Sequence, residues 1–585
     1  MERKPFYEFG TFRVDPGKRL LLREGQPVPL TAKAFDTLLA LVENRGRVLE
    51  KDELMRLVWP DTIVEESNLS QNVFTLRKVL GEQPHEHLYI ATVPRRGYQF
   101  VAEVRQTPAT SATPVSHAAR SLAVLPFISL GPKDTDEYLG LGMADALITR
   151  LGNIRRMIVR PTSAVRAYMG RTPDPVAAGR SLGVDMVLEG SIQRAGERIR
   201  VTVQLVSVEA GAPVWGERFD ERLPDIFAVQ DSISLRLAAA LVSTLTAEEK
   251  VRIERRYTDD HDAHDAYLKG RHHWNTRTEE GLKKAVRHFE EAIARDPRYA
   301  LAHAGLADCC TLLGSAGYGA LPPKEALARA RAAALKALEI DPELAEAHAS
   351  LALVKFRLDW DWAEAETEFR RAIQLNPGYA SAHHFYGLYL SAMGRASEAI
   401  ASLQLAQELD PLSLIIGAAL GRAFHFARQS ERAREQYAKT LEMDAGFAEA
   451  HMNLGLVYAQ RSMFAEAADE LQRAMAIAGR PVTQAILGYI YGLSGERKRA
   501  ERTLDELDGL AREGSVPALY LVYPHIGLGQ TERAFELLEK AYAERSGLLV
   551  YLKVEPIFDP LRSDARFEDL LRRMGLEGPA PHSGA

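Results

Sequence analysis

The sequence predicts a multidomain chain: an α+β domain of three helices and a hairpin, a small α/β domain with a mixed sheet, and an all-α superhelical solenoid. Three observations carry that expectation. Leu69, Val73, Leu76 and Leu80 repeat at helical spacing and lead into a hairpin with the tip Pro94-Arg95-Arg96-Gly97. The apolar run S-L-A-V-L-P-F at 121–127 alternates with helical segments before a second hairpin. From about Asp265 onward, Asp-Pro or Asn-Pro pairs end at Pro297, Pro342, Pro377 and Pro411, at intervals of 45, 35 and 34. The expected divisions are 1–106, a linker at 107–119, 120–256, a repeat array at 260–547, and a cap and tail at 548–585.

Composition bounds the function. With 585 residues the chain is too long for one core. A net charge of −6 excludes a generic polyanion binder, and residues 1–106 balance 16 Lys+Arg against 15 Asp+Glu. Charge is placed locally instead. Segments 67–81 and 87–102 hold Arg77, Lys78, Arg95 and Arg96 and not one acid. The only cysteines, Cys309 and Cys310, are helix neighbours that cannot form an ordinary bridge, which suits a reducing cytosol. No apolar signal core opens the chain and no run of 18 apolar residues occurs, so a cytoplasmic location without a membrane partner is expected.

Residues 6–30 alternate apolar and polar in short pieces separated by Gly and Pro, as in a small antiparallel sheet. Thr31 is placed to cap a helix that ends near Gly46. Lys51 to Trp59 reads as a second helix, stopped by Pro60-Asp61. The third helix has Ser67 at the N-cap position and Gly81 as its stop. Its apolar stripe faces a core, while Ser67, Asn68, Gln71, Asn72, Thr75 and Lys78 face outward and Arg77 lies on the flank. Leu88 to Val93 and Tyr98 to Val101 are strand-like. An amide- and hydroxyl-rich helix followed by an Arg-Arg hairpin is how a winged helix-turn-helix meets double-stranded DNA, with the helix in the major groove and the hairpin on backbone or minor groove. The competing reading is the solvated face of an ordinary bundle.

Residues 6–104 resemble the DNA-binding domain of the OmpR/PhoB-type winged-helix regulators. The matching motifs are L-T-x-K-x-F-D-x-L-L, K-D-E-L-M-R-L-V-W-P, L-R-K-V-L-G and T-V-P-R-R-G-Y-x-F. The resemblance implies base contacts from the third helix and backbone contacts from the wing. It nominates Ser67, Asn72, Thr75 and Arg77 on the helix, and Thr92, Arg95 and Arg96 in or beside the wing. It also implies binding of tandem half-sites as a homodimer. Phe74 and Thr75 depart from the family, standing where basic residues are common, which shifts expected recognition toward amide and hydroxyl contacts. No receiver domain precedes the module in this sequence, so a phosphorylated aspartate is not the expected switch.

Residues 107–119 contain Pro, Ser, Thr and Ala with little to bury and read as a linker. CadC- and ToxR-like regulators follow this module with a membrane span, whereas here the linker runs into the next domain. That domain reads as the opening strand, a helix from Asp136 to Leu151, a strand ending M-I-V-R-P, and a helix from Pro175 to Leu182. A hairpin turned at Ala195-Gly196-Glu197 and a helix from Asp225 to Leu245 complete it. It resembles the TolB-N-terminal-like domain of bacterial regulators, which also stands behind some adenylate cyclase catalytic domains; no cyclase domain accompanies it. Asp145, Asp185, Glu189 and Arg160 with Ser163 invite an acid–base reading, but no His or nucleophile joins them at a motif spacing. Caps, turns and solvated charge are the expected explanation. Gly140-Leu141-Gly142 does not continue as G-x-G-x-x-G, which rejects a dinucleotide site.

In the repeat region Gly387, Gly421, Gly455 and Gly488 recur in phase, with Ala399, Ala433, Ala467 and Ala500 twelve residues later. This is the tetratricopeptide signature of two helices per roughly 34 residues. Eight units are expected, starting near Ala266, Ala300, Ala345, Ala380, Leu414, Ala448, Pro481 and Ser515, with the insertion G-S-A-G-Y-G-A-L-P-P lengthening one. His303, His348, His383 and His451 occupy equivalent positions of different repeats, so they are read as packing residues rather than a metal set. His272-His273-Trp274 is a weak metal candidate, and Cys310 is expected to be inert.

The expected function is that of a CadC/HilA-like, sequence-specific transcriptional regulator whose repeat groove receives a protein or peptide partner. The alternative is a repeat scaffold with weak or localising DNA contact. No catalytic residue, metal or cofactor is expected, and an enzyme is the least favoured class.

Overall fold

The computed structural model describes residues 6–577, apart from 17–19, 24–25, 29, 31, 60–65, 83–87, 95, 103, 108–119, 131–136, 153, 155–156, 196–197, 223–225, 242–245, 247–256, 276–277, 315–321 and 513–515. Thr31, the expected cap, and nearly all of the expected insertion lie outside the described residues. Two compact units result, residues 1–118 and 119–585.

The first unit opens with β1 (Phe6–Phe9), β2 (Phe12–Asp15), β3 (Leu20–Arg23) and β4 (Gln26–Val28). They form an antiparallel sheet ordered β4-β3-β2-β1, extended beyond β1 by β8 (Arg105–Thr107) at the far end of the domain. Helices α1 (Ala32–Glu43), α2 (Lys51–Val58) and α3 (Glu66–Leu80) follow. The wing consists of β6 (Ile90–Val93) and β7 (Gly97–Phe100), and β7 also pairs with β5 (Val48–Glu50). Leu69, Val73, Leu76 and Leu80 are all buried beside Leu38, Leu54 and Phe100. At Gly97 an added Cβ would stand 1.9 Å from the Leu49 carbonyl oxygen, so the wing can cross β5 only with glycine there.

The second unit begins with β9 (Arg120–Val124), which enters a mixed sheet with β10 (Ile128–Ser129), β11 (Met157–Val159), β12 (Met186–Ala195), β13 (Arg198–Ser207) and β14 (Ala212–Arg222), ordered β11-β9-β12-β13-β14 with β10 also pairing β12. β11 and β12 flank β9 in parallel, and β13 and β14 add antiparallel. α4 (Glu137–Leu151), α6 (Pro175–Leu182) and α7 (Ile226–Leu241) contribute to the same core. β14 goes unread in the sequence because Pro213 and Gly216 break its alternation. The Gly140-Leu141-Gly142 motif serves packing. A Cβ on Gly140 would sit 2.1 Å from the Phe127 carbonyl oxygen, and one on Gly142 would sit 3.2 Å from Leu268 of the first repeat.

Eight antiparallel helix pairs follow among the described residues. They are His261–Asn275 with Glu279–Arg295, Ala300–Leu313 with Pro323–Ile340, and Ala345–Val354 with Trp362–Leu375. Next come Ala380–Ala392 with Ala396–Leu409, Leu414–Phe426 with Ser430–Met443, and Ala448–Gln460 with Phe464–Ala478. Pro481–Leu493 with Arg497–Arg512 and Ala518–Gly527 with Thr531–Ala543 complete the array. The in-phase glycines allow close helix approach: a Cβ on Gly387 would meet Leu403 at 2.5 Å, and one on Gly421 would meet Tyr437 at 2.6 Å. The Asp-Pro pairs end each unit through the acid as well as the proline. The Asp296 and Asp341 carboxylates accept from the N–H two residues on, at 2.9 and 3.0 Å, and Asp444, followed by Ala445 rather than proline, does the same at 2.8 Å. The four equivalent histidines read that same turn. Nε2 of His303, His348, His383 and His451 lies 2.9–3.0 Å from the carbonyl oxygen six residues earlier. Each ring thus ties its helix to the preceding turn.

The array closes on itself. The third pair's first helix ends in a π turn, Lys355–Asp359, and Trp360 adopts a left-handed backbone, φ 58°. Trp360 then packs on Tyr542 of the eighth pair, ring centroids 5.5 Å apart, and Arg545 donates to the Asp359 carbonyl at 3.0 Å. Inside this turn of superhelix lies the C-terminal segment, with short 3-10 turns at Leu549–Tyr551 and Pro556–Leu561 and a helix at Ala565–Arg573. Leu549, Val550, Leu552, Ile557, Phe558 and Leu561 are buried in one core with residues of repeats three to eight. Tyr551 sits between Phe356 and Phe426, at 6.3 and 5.3 Å, and Arg428 donates to Asp559 at 2.7 Å. The segment read from the sequence as an end cap thus shares one core with repeats three to eight rather than covering the eighth alone.

Three of the residues that invited an acid–base reading, Asp145, Arg160 and Ser163, join the α/β domain to the repeats. Asp145 is almost wholly buried and accepts from Arg271 of the first repeat through Nε and Nη2, both at 3.0 Å, and from the Thr162 hydroxyl at 2.6 Å. It is neither a cap nor a solvated charge. Arg166 donates to the Asn275 carbonyl. Farther along the array, Arg160 donates to the Glu408 carbonyl and Ser163 donates to Asp410 at 2.5 Å. Asp185 stays within the sheet, accepting from Ser121.

Two predictions follow from this joint. Asp145→Ala strands the Arg271 charge and should lower unfolding free energy by about 3–5 kcal/mol, read by urea titration. Burial, aided by the Arg150 charge, holds the His264 imidazole down to about 3 from 6.5. Its contribution to stability is therefore complete above the unfolded value and is lost as pH falls toward the folded one. Stability should fall below pH 6.5 by up to about 1.4 kcal/mol per unit from this proton, and His264→Gln should flatten that slope.

Candidate nucleic-acid interface

The apolar stripe of α3 fixes what the helix can present. With Leu69, Val73, Leu76 and Leu80 turned inward, Asn68, Ser70, Gln71, Phe74 and Lys78 are exposed. Phe74 is 63% exposed, an unusual state for a phenyl ring and one that suits contact with a thymine methyl. Ser70 and Phe74 were missing from the sequence-based set, although the helical phase of Gln71 and Lys78 pointed to them. Thr75 is half-buried, and its hydroxyl donates back to the Gln71 carbonyl at 2.9 Å. Helix α3 begins at Glu66, so Ser67 lies in its first turn and is not its N-cap. The Ser67 side chain and Arg95 lie outside the described residues.

Three nominated residues, Asn72, Arg77 and Thr92, have partners inside the domain. The Asn72 amide donates to the Thr37 hydroxyl at 3.1 Å, tying α3 to α1. Arg77 Nη2 donates to the Ile90 carbonyl and to the Thr92 hydroxyl, both at 2.8 Å, while its Nε lies 3.4 Å from Glu82. Glu82, fully enclosed, accepts from the N–H groups of Tyr89 and Ile90. Arg77 and Glu82 together clamp the end of α3 to the start of the wing. Lys33 of the L-T-x-K motif donates to the Val58 carbonyl at 2.6 Å and closes the end of α2. Thr92 and Arg96 are exposed on the wing, where the Arg96 N–H closes the turn onto the Val93 carbonyl at 3.0 Å. The face thus offers amides, hydroxyls and one phenyl ring from the helix, flanked by Lys78 and Arg96.

Elsewhere the metal and thiol candidates have ordinary settings. His273 stacks on His288 with ring centroids 5.3 Å apart, and among the described residues no group of three or more His, Cys, Asp or Glu could hold an ion. Burial pushes the Cys310 thiol up to about 11. Among the described residues no helix is long and apolar enough to cross a membrane.

Comparison with known proteins agrees with this arrangement. Residues 25–100 match the family model "Transcriptional regulatory protein, C terminal", and residues 118–236 match "HilA/YgeH-like transcriptional regulator, second domain". Residues 361–413 and 418–481 match "Tetratricopeptide repeat". The chain therefore joins an OmpR/PhoB-type winged-helix domain to a HilA-type second domain and a tetratricopeptide array. It is 25% identical to "Transcriptional regulator HilA" of Salmonella typhi over 410 residues, 68% of this chain and 69% of that protein. It is 34% identical over 259 residues to "Putative adenylate cyclase 3" of Rhizobium meliloti, 44% of this chain and 43% of that protein. The chain thus spans less than half the length of the Rhizobium relative. The solved DNA-binding domain of Escherichia coli CadC is 32% identical and covers 18% of this chain and 99% of its own, with a TM-score of 0.17.

The internal and exposed residues should separate in binding assays. Gln71→Ala should relax base preference by about 1–3 kcal/mol at one position. Arg96→Ala should weaken all sequences alike and reduce the salt slope by about one. Arg77→Ala should act mainly on the fold, with a lower melting temperature accompanying any loss of DNA affinity.

Proposed function

We propose that this chain is a sequence-specific, DNA-binding transcriptional regulator of the cytoplasm, with no enzymatic activity of its own. The observation that carries the reading is the exposed α3 face, Asn68, Ser70, Gln71, Phe74 and Lys78, beside a wing bearing Arg96. Base contacts fall to the centre of that face, with Ser67 and Thr75 at its margin. Lys78, Arg95 and Arg96 meet phosphates, and Asn72, Arg77 and Thr92 hold the helix and wing in register. The likeness to HilA supports the regulatory role. Binding as a homodimer on tandem half-sites extends the reading, because one domain supplies few phosphate contacts.

The repeat array is the surface for a protein or peptide signal. Along repeats three to eight, the array already shares its core with the chain's own residues 549–561. A partner peptide there has to displace that segment, whereas outward helix faces of the array suit a folded partner. Weak, merely localising DNA contact by a scaffold is the competing reading.

Selection of bound duplexes from random DNA, with the full chain and residues 1–118 side by side at near-physiological salt, tests the proposal. One shared enriched motif is the expected result. Enrichment with the fragment alone means that the rest of the chain masks α3. No motif with either overturns the regulator reading in favour of the scaffold.

A further inference from the structure

Where the third, fifth and sixth pairs meet the C-terminal segment, four charged side chains share one neighbourhood: Arg357, Arg422, Glu449 and Glu555. The Arg422 guanidinium carbon lies 5.2 Å from the centre of the Tyr551 ring. Burial pulls the Arg357 guanidinium below its ordinary value, and the Arg422 charge beside it adds to that. Burial acts on Arg422 in the same sense, but Tyr551, Glu449, Tyr437 and Glu555 around it outweigh it. Yet these opposite charges do not pair. Among the described residues, which include all of the third, fifth and sixth pairs and of 548–561, neither guanidinium forms an ion pair and neither carboxylate meets an arginine or lysine. Elsewhere in the array such groups close directly, as Arg395 does on Glu366 at 2.7 Å and on Glu398 at 2.6 Å. The surrounding polar atoms are left open as well. Both ring nitrogens of His425, Nε2 of Gln436, the Tyr437 hydroxyl, Nε of Arg422 and Oε1 of Glu555 are buried without a hydrogen-bond partner, and His425 Nε2 stops 3.6 Å from Glu555. His425, Gln436 and Tyr437 are buried, whereas Arg357, Arg422 and Glu449 stay partly exposed, so the site opens to solvent on their side.

Opposite charges away from bulk water attract strongly and close to contact unless something polar stands between them. Native interiors also rarely leave so many polar atoms of one neighbourhood unsatisfied. The charge balance selects what stands there. A simple anion would satisfy the two guanidiniums and leave two carboxylates unneutralised, and a simple cation would do the reverse. A small molecule with both signs on neighbouring atoms meets all four, because guanidinium forks fit a carboxylate and carboxylates accept from an ammonium. We propose that this site binds a free α-amino acid, its carboxylate held by Arg357 and Arg422 and its ammonium by Glu449 and Glu555. The Tyr437 hydroxyl, the Gln436 amide and His425 then complete the polar lining. Three of the holding residues belong to repeats and Glu555 to the C-terminal segment, so the ligand would also fasten that segment to the array. This goes beyond the reading of the chain as a regulator and does not rest on it.

Calorimetric titration of the full chain with L-alanine, L-glutamine and L-phenylalanine, which differ in side-chain size, tests this at constant ionic strength. The tightest of them is then compared with its amide, which lacks the carboxylate, and its α-hydroxy acid, which lacks the ammonium. Saturable one-to-one binding of an amino acid, at least tenfold weaker for both analogues and lost in Arg422→Gln and Glu449→Gln, is the expected pattern. No saturable binding of any of the three means that the site holds water only and overturns the proposal. An amide or a hydroxy acid that binds as tightly as the parent overturns the zwitterion, and unchanged binding by Glu449→Gln places the site elsewhere. If Arg422→Gln fails to fold, the partly exposed Glu449→Gln and the analogue ratios on the unaltered chain decide. The readout is ligand binding alone, so its failure leaves the DNA-binding reading standing.

Discussion

The second unit depends on one buried ion pair. Asp145 and Arg271, 126 residues apart in sequence, meet through two parallel hydrogen bonds away from water, and the Thr162 hydroxyl takes up a further lone pair of the carboxylate. Such a pair adds little net stability, because both ions have lost their hydration. Its loss on one side is severe, because the remaining charge stays buried. That asymmetry suits a joint that must hold one geometry. Gly142 permits the approach from α4, Leu268 fills it from the repeat, and Arg166 bonds the end of the same repeat helix. The second anchorage, Arg160 and Ser163 on the turn at Glu408 and Asp410, lies three repeats farther on. An α/β domain held at both points restrains the curvature of the intervening array.

Solenoids ordinarily depend on contacts between neighbouring repeats, so their stability adds up unit by unit. Here that rule is broken from the third repeat onward. Arg545 and Tyr542 bring the eighth pair onto Trp360, and the C-terminal segment touches the third, fourth, fifth and eighth pairs. Repeats three to eight therefore share one core and should behave cooperatively. The same contacts occupy repeat surface that a solenoid would otherwise offer to a peptide. Arg428 shows how closely segment and groove are matched. It adopts φ 61° at a helix-turn position where other repeats carry Gly394 and Gly529, and from there it reaches Asp559.

Much of this was legible in the sequence because the governing rules are local. The phase of Leu69, Val73, Leu76 and Leu80 fixed the buried side of α3, and the in-phase Gly and Ala positions fixed the helix pairs. Partners distant in sequence escaped. Arg105–Thr107 belongs to the first sheet only because Phe6–Glu8 lies beside it. Asp145 looked like a surface acid until Arg271 stood opposite, and residues 549–561 looked like an end cap until the array closed around them. Arg77 is the instructive case at the site. Helical phase put it on the flank of α3, which suits a DNA contact and an internal clamp equally. Only the position of Glu82 and the wing carbonyl separates the two.

The use of Arg77 inside the fold has a consequence for recognition. With that guanidinium committed to Ile90, Thr92 and Glu82, the surface proposed to face DNA keeps few cations among the described residues, chiefly Lys78 and Arg96. Each phosphate contact contributes to affinity by releasing counterions, so so few of them give a shallow salt dependence and modest non-specific binding. Amides, hydroxyls and an exposed phenyl ring read base edges well but hold the duplex weakly. Such a surface discriminates more than it grips. On the proposed reading, a second module on the same duplex would supply the missing affinity, because its effective concentration multiplies the first contact without any new charge. On this argument the sparse electrostatics of α3 and the need for a paired site are two sides of one design.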